Sequence, residues 1–161
     1  MNLAYLLIGG NLGDRICNLG IAKSLIEKQL GDIVSVSSIY ETAPWGINEQ
    51  PDFFNQVLLI KTKLSPDKIM RSILSIEKKM GRVRSQKNAS RIIDIDILFF
   101  NDEVIKLKNL TIPHPEIQNR KFVLIPLHEI APDIIHPVFK QSIKNLLQAS
   151  KDKLEVKPLS R

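Results

Sequence analysis

One cysteine in 161 residues rules out an internal disulfide and any cysteine-built zinc cluster. That residue, Cys17, falls in the expected first helix and reads as a buried or neutral thiol. No apolar run approaches the roughly 20 residues that a membrane span needs. The N-terminus carries no basic region before its short apolar stretch Leu3 to Ile8, and Gly9-Gly10-Asn11 follows at once. It therefore reads as a strand and not as a leader, and the expected compartment is the cytoplasm. Seven glycines and nine prolines are too few for a fibrous or disordered chain, and no internal repeat, linker or low-complexity stretch interrupts it. Neither G-x-x-x-x-G-K-[ST] nor G-x-G-x-x-G occurs, which excludes the P-loop and the protein-kinase glycine loop.

What is present is a chain of one-domain size, 43% hydrophobic and 25% charged, long enough to bury a core without staples. A single domain over residues 1–161 is expected. The net charge of +6 favours anionic partners without choosing among them. Its placement is more telling: Lys78, Lys79, Arg82, Arg84, Lys87 and Arg91 run directly into a pair of aspartates.

Residues 2–9 read as a strand, and Asp14 caps a helix to about Leu30 with Leu19, Ala22, Leu25, Ile26 and Leu30 on one face. Alternation over 33–42 predicts a second strand, 43–52 a loop and 53–62 a third strand. Ser65-Pro66 opens a helix striped by Ile69, Ile73, Ile76 and Met80 and closed by Gly81. Residues 91–100 are strongly β-prone, Asn101-Asp102 marks a turn, and 122–130 and 141–149 read as short helices. The order β-α-β-β-α-β is the ferredoxin-like split pattern, an α+β sandwich on an antiparallel sheet with a short C-terminal extension.

Within Arg91 to Phe100 the side chains of Asp94 and Asp96 share one face of a strand, about 7 Å apart. Two like charges beside apolar neighbours cost free energy unless a cation compensates. Carboxylate pairs suit Mg²⁺, which fills its remaining shell with water and phosphate oxygens. A wet strand face is the common alternative. Here Leu98 and Phe100 share the same nominal face, so the strand does not stay solvent-facing, and the metal reading stands ahead. The neighbouring guanidinium groups can bind phosphate oxygens in pairs and neutralise charge as a phosphoryl-type group moves.

Several segments together resemble one family. They are Ile8-Gly9-Gly10-Asn11-Leu12-Gly13, Tyr40-x-Thr42-x-Pro44-x-Gly46, Gln50-Pro51-Asp52-Phe53-x-Asn55, Ile76-Glu77 with Gly81-Arg82-x-Arg84, Arg91-x-x-Asp94-x-Asp96, and Pro113-His114 with Asn119-Arg120-x-Phe122. In this order, over about residues 3–137, they resemble the 6-hydroxymethyl-7,8-dihydropterin pyrophosphokinases of folate synthesis. The resemblance implies transfer of the β,γ-diphosphate of ATP to the pterin hydroxymethyl group, with two Mg²⁺ ions held by Asp94 and Asp96. It implies that Arg82 and Arg91 assist transfer, that Arg84 and His114 add phosphate contacts, and that Ile97 and Thr111 lie near the adenosine. Gly9, Thr42, Pro44, Asn55, Arg120 and Phe122 would form the pterin pocket, with Phe53 stacked opposite Phe122.

The chain departs from that pattern between Arg84 and Arg91. The loop is one residue shorter, and Asn88-Ala89-Ser90 stands where many members carry Trp-Gly-Pro; Trp45 is the expected substitute cover. Pro115 also follows His114 where some members have tyrosine. His128 and His136 read as structural. An RNA-binding module would need exposed aromatics where Asp94 and Asp96 stand, so neither nucleic acid nor membrane is an expected partner. A catalytically silent binder would have no need of both aspartates together with Arg82 and Arg91. A monomer acting on ATP and the pterin is expected.

Overall fold

A computed structural model describes residues 1–44, 50–82 and 90–159. The chain forms β1 (Asn2–Gly10), α1 (Arg15–Gln29), β2 (Asp32–Val36), β3 (Tyr40–Thr42), β4 (Phe53–Thr62), α2 (Pro66–Lys79) and β5 (Asp94–Phe100). A hairpin of β6 (Ile105–Leu107) and β7 (Leu110–Ile112), two further helices, α3 (Lys121–Ile130) and α4 (Ile143–Ala149), and a short strand, β8 (Val156–Pro158), follow. The fold is α+β with an antiparallel main sheet ordered β5-β1-β4-β3-β8, and β2 pairs the other half of β4. No helix among the described residues is long and apolar enough to cross a membrane.

The helix boundaries follow from local chemistry. Asp14 caps α1 by accepting the Cys17 N–H at 3.0 Å, and Pro66 starts α2 where its missing donor costs nothing. α2 ends in two nested bonds, Gly81 N–H to the Lys78 carbonyl and Arg82 N–H to the Glu77 carbonyl, both 3.0 Å. Gly81 sits at φ 91°, a conformation that favours glycine and reverses the chain there. Cys17, expected as a buried or neutral thiol, is exposed on α1.

Two cores flank the sheet. On one face Leu6, Ile8, Leu58, Ile60, Ile95 and Ile97 pack against Leu19, Ile26, Ile69, Ile73 and Ile76 of α1 and α2. On the other, Leu7, Val57, Leu98 and Phe99 pack against Val123, Leu124, Leu127, Ile143 and Leu146 of α3 and α4.

Two expectations need correction. The strand expected over 33–42 is split, because Ser37 leaves the alternation: it is buried and its hydroxyl accepts the Val57 N–H at 2.9 Å. A register shift between Tyr5 and Leu6 pairs Leu6 with Ile97 and Tyr5 with Phe99. That bulge returns Phe100 to the α1–α2 core, so it does not share the aspartate face as simple alternation implied.

Candidate active site

The face that carries Leu7 and Val57 is covered by α3 at one end of the sheet and opens into a cavity at the other. Register decides what lies there: Gly9 pairs with Asp94 and with Asn55, Leu7 pairs with Asp96, and Thr42 pairs with Phe53. Cross-strand partners share a face, so these side chains converge. The cavity is lined by Gly9, Thr42, Phe53, Asn55, Arg91, Asp94, Asp96, Arg120 and Phe122, with Leu7 and Ala43 completing it. The Asn55 amide donates to the Thr42 hydroxyl at 3.2 Å in a buried pair. Gly9 permits this arrangement, since a Cβ there would stand 2.2 Å from Asn55 Oδ1.

Phe53 and Phe122 are the two aromatic walls, and each has an arginine over its ring. The Arg91 guanidinium lies 5.4 Å from the Phe53 centroid and that of Arg120 lies 5.8 Å from Phe122. Pro44 is buried and is not among the lining residues.

Asp94 is gripped by two arginines: Arg82 Nη1 donates to Oδ1 at 2.6 Å and Arg91 Nη1 to Oδ2 at 3.1 Å. The same Arg82 nitrogen donates to Glu77 Oε2 at 2.7 Å, and that oxygen also accepts the Ile95 N–H at 2.9 Å. Burial opposes the charge on Arg82, yet Asp94 and Glu77 outweigh it and raise its pKa. The nested bonds at the end of α2 put Arg82 in this position. Among the described residues Asp96 has no such pairing. Burial, then the charges of Asp94 and Glu77 and a hydrogen bond to Asp94, push its pKa up to about 8 against the weaker pull of Arg82.

A second cavity meets the first at the carboxylates. It is lined by Met70, Ile73, Leu74 and Glu77 of α2, Asp94, Ile95 and Asp96 of β5, and Asn109. Asp94 and Asp96 are the residues common to both. Thr111 and His114 line a third hollow with Pro113, His136 and Phe139, while Ile97 is buried in the α1–α2 core. His114 Nδ1 accepts the Glu116 N–H at 3.1 Å, and burial with the nearby Arg120 charge lowers its pKa. The neutral ring thus carries its proton on Nε2, free to meet an anion. His136 is structural as expected, its Nδ1 accepting the Val138 and Phe139 N–H groups at 3.1 and 3.2 Å. Arg84, Trp45 and residues 85–89 of the shortened loop lie outside the described residues.

Among the described residues no group of three or more His, Cys, Asp or Glu side chains is placed to hold a metal. Two adjacent carboxylates, one retaining its proton to about pH 8, nevertheless fit a hard cation that takes one or two carboxylates and completes its shell elsewhere.

Sequence reasoning assigned no role to Glu77 or Asn11. Glu77 follows Ile73 by four residues, a charge on the apolar stripe of α2, and that was the available signal. Asn11 is buried and joins two loop ends: its Oδ1 accepts the Arg91 N–H at 2.8 Å and its Nδ2 donates to Gln50 Oε1 at 3.0 Å.

Residues 5–132 match the family model of 7,8-dihydro-6-hydroxymethylpterin-pyrophosphokinase (HPPK). The chain is 42% identical over 144 residues to a 2-amino-4-hydroxy-6-hydroxymethyldihydropteridine pyrophosphokinase of Aquifex aeolicus, covering 89% of each chain. It is 40% identical over 138 residues to the Haemophilus influenzae protein of the same name, covering 85% of this chain and 86% of that one. Its fold resembles that of a Plasmodium falciparum HPPK-DHPS protein solved with pteroate, at TM-score 0.75 and 23% identity, over 91% of this chain and 42% of that one. The chain belongs to the HPPK family.

Proposed function

We propose that Asp94 and Asp96 are the reaction centre of this enzyme, with the pterin in the cavity between Phe53 and Phe122 and ATP in the cavity beside α2. The family's reaction is pyrophosphoryl transfer to 6-hydroxymethyl-7,8-dihydropterin in folate synthesis, and ATP is its co-substrate. A bond forms between the hydroxymethyl oxygen and the β-phosphorus, the hydroxyl proton passes to solvent, the bond from that phosphorus to the α,β-bridging oxygen breaks, and AMP leaves. The observation that carries the assignment is the sharing of Asp94 and Asp96 by both cavities, because in-line transfer needs donor and acceptor to meet at one point.

Each residue has a task the geometry supports. Phe53 and Phe122 hold a flat ring by its faces, and Thr42 with Asn55 offers polar atoms to its edge. Asp94 and Asp96 would hold two magnesium ions, which supply positive charge to the diphosphate when bound. Arg82 and Arg91, now paired with Asp94, turn their remaining donors to phosphate oxygens. Arg120 closes the acceptor side, and His114 offers Nε2–H to phosphate. For Arg84, which lies outside the described residues, and for Thr111 and Ile97, which do not line the cavity beside α2, the roles rest on the family resemblance alone.

The finer readings belong here too. The strand order β5-β1-β4 with β2 and β3 beyond supports a ferredoxin-like core, to which α3, α4 and β8 are the extension. One domain over 1–161, acting as a cytoplasmic monomer on ATP and the pterin, completes the proposal. The test is AMP release on incubation with ATP, Mg²⁺ and the pterin. AMP formed one-for-one with pterin diphosphate, and absent with Asp96→Ala, is expected. Undiminished turnover by Asp96→Ala would sink the assignment.

A further inference from the structure

The segment after α4 touches both walls of the acceptor cavity. It lies beyond residue 132, where the family match ends. Asp152 Oδ2 accepts the Lys121 N–H at 2.9 Å, and Lys121 is the residue between Arg120 and Phe122, both lining the cavity. The other oxygen, Oδ1, accepts the Leu154 N–H at 3.0 Å and turns the chain towards the sheet. β8 then runs along β3, pairing Val156 with Thr42, and the Leu159 N–H reaches the Ile39 carbonyl at 2.8 Å. Thr42 and its partner Phe53 belong to the opposite wall.

We propose that Asp152 is a positioning residue for the acceptor: through segment 152–159 it sets the separation between the wall of Arg120 and Phe122 and the wall of Thr42, Phe53 and Asn55. The chemistry is that of a helix start. The first N–H groups of α3 have no partners within the helix, Arg120 at its N-cap makes no side-chain cap bond, and the Asp152 carboxylate supplies the acceptor from 31 residues away. A negative group at that end also suits the helix dipole. Because the donor is the backbone between two cavity residues, loss of the bond frees both together. The far end of α3 is fixed independently. There Glu129 accepts from Tyr40 Oη at 2.6 Å and from the Ser38 N–H at 3.0 Å. Removing Asp152 therefore loosens the start of α3 without releasing the helix.

The inference rests on the pterin assignment of this cavity, and the experiment separates the two. Dissociation constants for the pterin and for a non-hydrolysable ATP analogue are measured on the full chain, together with KM and kcat. Asp152→Ala is expected to weaken pterin binding and raise its KM about fivefold, the worth of one helix-start acceptor. ATP-analogue affinity and kcat at saturating pterin are expected to hold. Asp152→Asn keeps one acceptor oxygen, enough for the Lys121 N–H but not for the Leu154 N–H as well, and is expected to restore part of the affinity.

Lys121→Pro tests the same bond from the other side. Proline is tolerated at the first helical position, and Arg120 already has the extended conformation it requires, φ −130° and ψ 111°. It should reproduce the pterin defect, and the double variant should be no worse than either single. This variant carries the test if Asp152→Ala does not fold. Unchanged pterin affinity in these variants, or equal losses for pterin and ATP analogue, overturns the proposal. A wild-type chain that binds ATP analogue but no pterin would overturn instead the cavity assignment on which it stands.

Discussion

The two cavities that meet at Asp94 and Asp96 are built from different materials. The acceptor cavity is floored by sheet backbone: Gly9, Asn55 and Asp94 lie in consecutive ladder pairs, and its polar edge is a buried Asn55–Thr42 pair. Its neighbour is walled by side chains of one helix, Met70, Ile73, Leu74 and Glu77, and Leu74 remains 43% exposed. A ladder fixes atoms to fractions of an ångström and can read a ring edge, whereas an open helix face offers apolar contact to a base. On the proposed assignment, discrimination would be concentrated on the pterin, and ATP would be gripped through its phosphates by arginines. Asp94 and Asp96 repeat the contrast in miniature. Asp94 is held by two guanidinium groups, while burial and the charges of Asp94 and Glu77 push the Asp96 pKa up to about 8.

The largest expected effect comes where the cavities join. Asp96→Ala should lower kcat by about 10³-fold or more, as losing a charge-stabilising group at a reaction centre does, while pterin binding without Mg²⁺ stays near wild type. Steady-state assay and calorimetry check both. A kcat within tenfold of wild type would dissolve the common centre.

Arg82→Ala should cost about 10²-fold in kcat. Arg82→Lys should recover little, because an ammonium standing where Nη1 bridges Glu77 and Asp94 leaves no second nitrogen for a phosphate oxygen. Full recovery by lysine would mean that charge alone matters at the end of α2.

A pair of truncations separates the walls. Phe122→Ala should raise the pterin KM about tenfold through the lost ring contact and leave the ATP KM unchanged. Leu74→Ala should do the reverse, by a smaller factor. Equal effects of either variant on both substrates would erase the division.

A pH slope tests the two carboxylates without any substrate. The Asp96 pKa is raised from 3.8 to about 8 in the folded chain, so between those values the folded state holds a proton that the unfolded state has released. Its contribution to stability is fully present below about pH 3.8 and is lost as pH rises through about 8. Without Mg²⁺, stability measured by melting should fall as pH rises between 5 and 8. Asp96→Asn should flatten that slope, and Mg²⁺ should oppose it by favouring the ionised pair. A slope unchanged in Asp96→Asn would place the proton elsewhere.

Much of this was legible in the sequence because it rests on short-range chemistry. Pro66 and Gly81 bracket α2, so the position of Arg82 follows from where the helix must stop. The alternation of 53–62 and the apolar run 94–100 mark β4 and β5, and the two-residue spacing puts Asp94 and Asp96 together. What stayed hidden depends on partners far along the chain. Ser37 breaks a strand by bonding Val57, the bulge at Tyr5 and Leu6 turns Phe100 away, and Asp152 meets Lys121 across 31 residues. Glu77 was visible as a charge on an apolar stripe and as part of a segment shared with the family, and neither names its buried partner.

The most direct test of the central claim is a crystal structure with Mg²⁺, a non-hydrolysable ATP analogue and 6-hydroxymethyl-7,8-dihydropterin. The account predicts the pterin ring between Phe53 and Phe122, the nucleoside on the α2 side near Met70 and Leu74, and metal-bound phosphates at Asp94 and Asp96. A pterin bound on the α2 side, or phosphates held away from the two carboxylates, would contradict it.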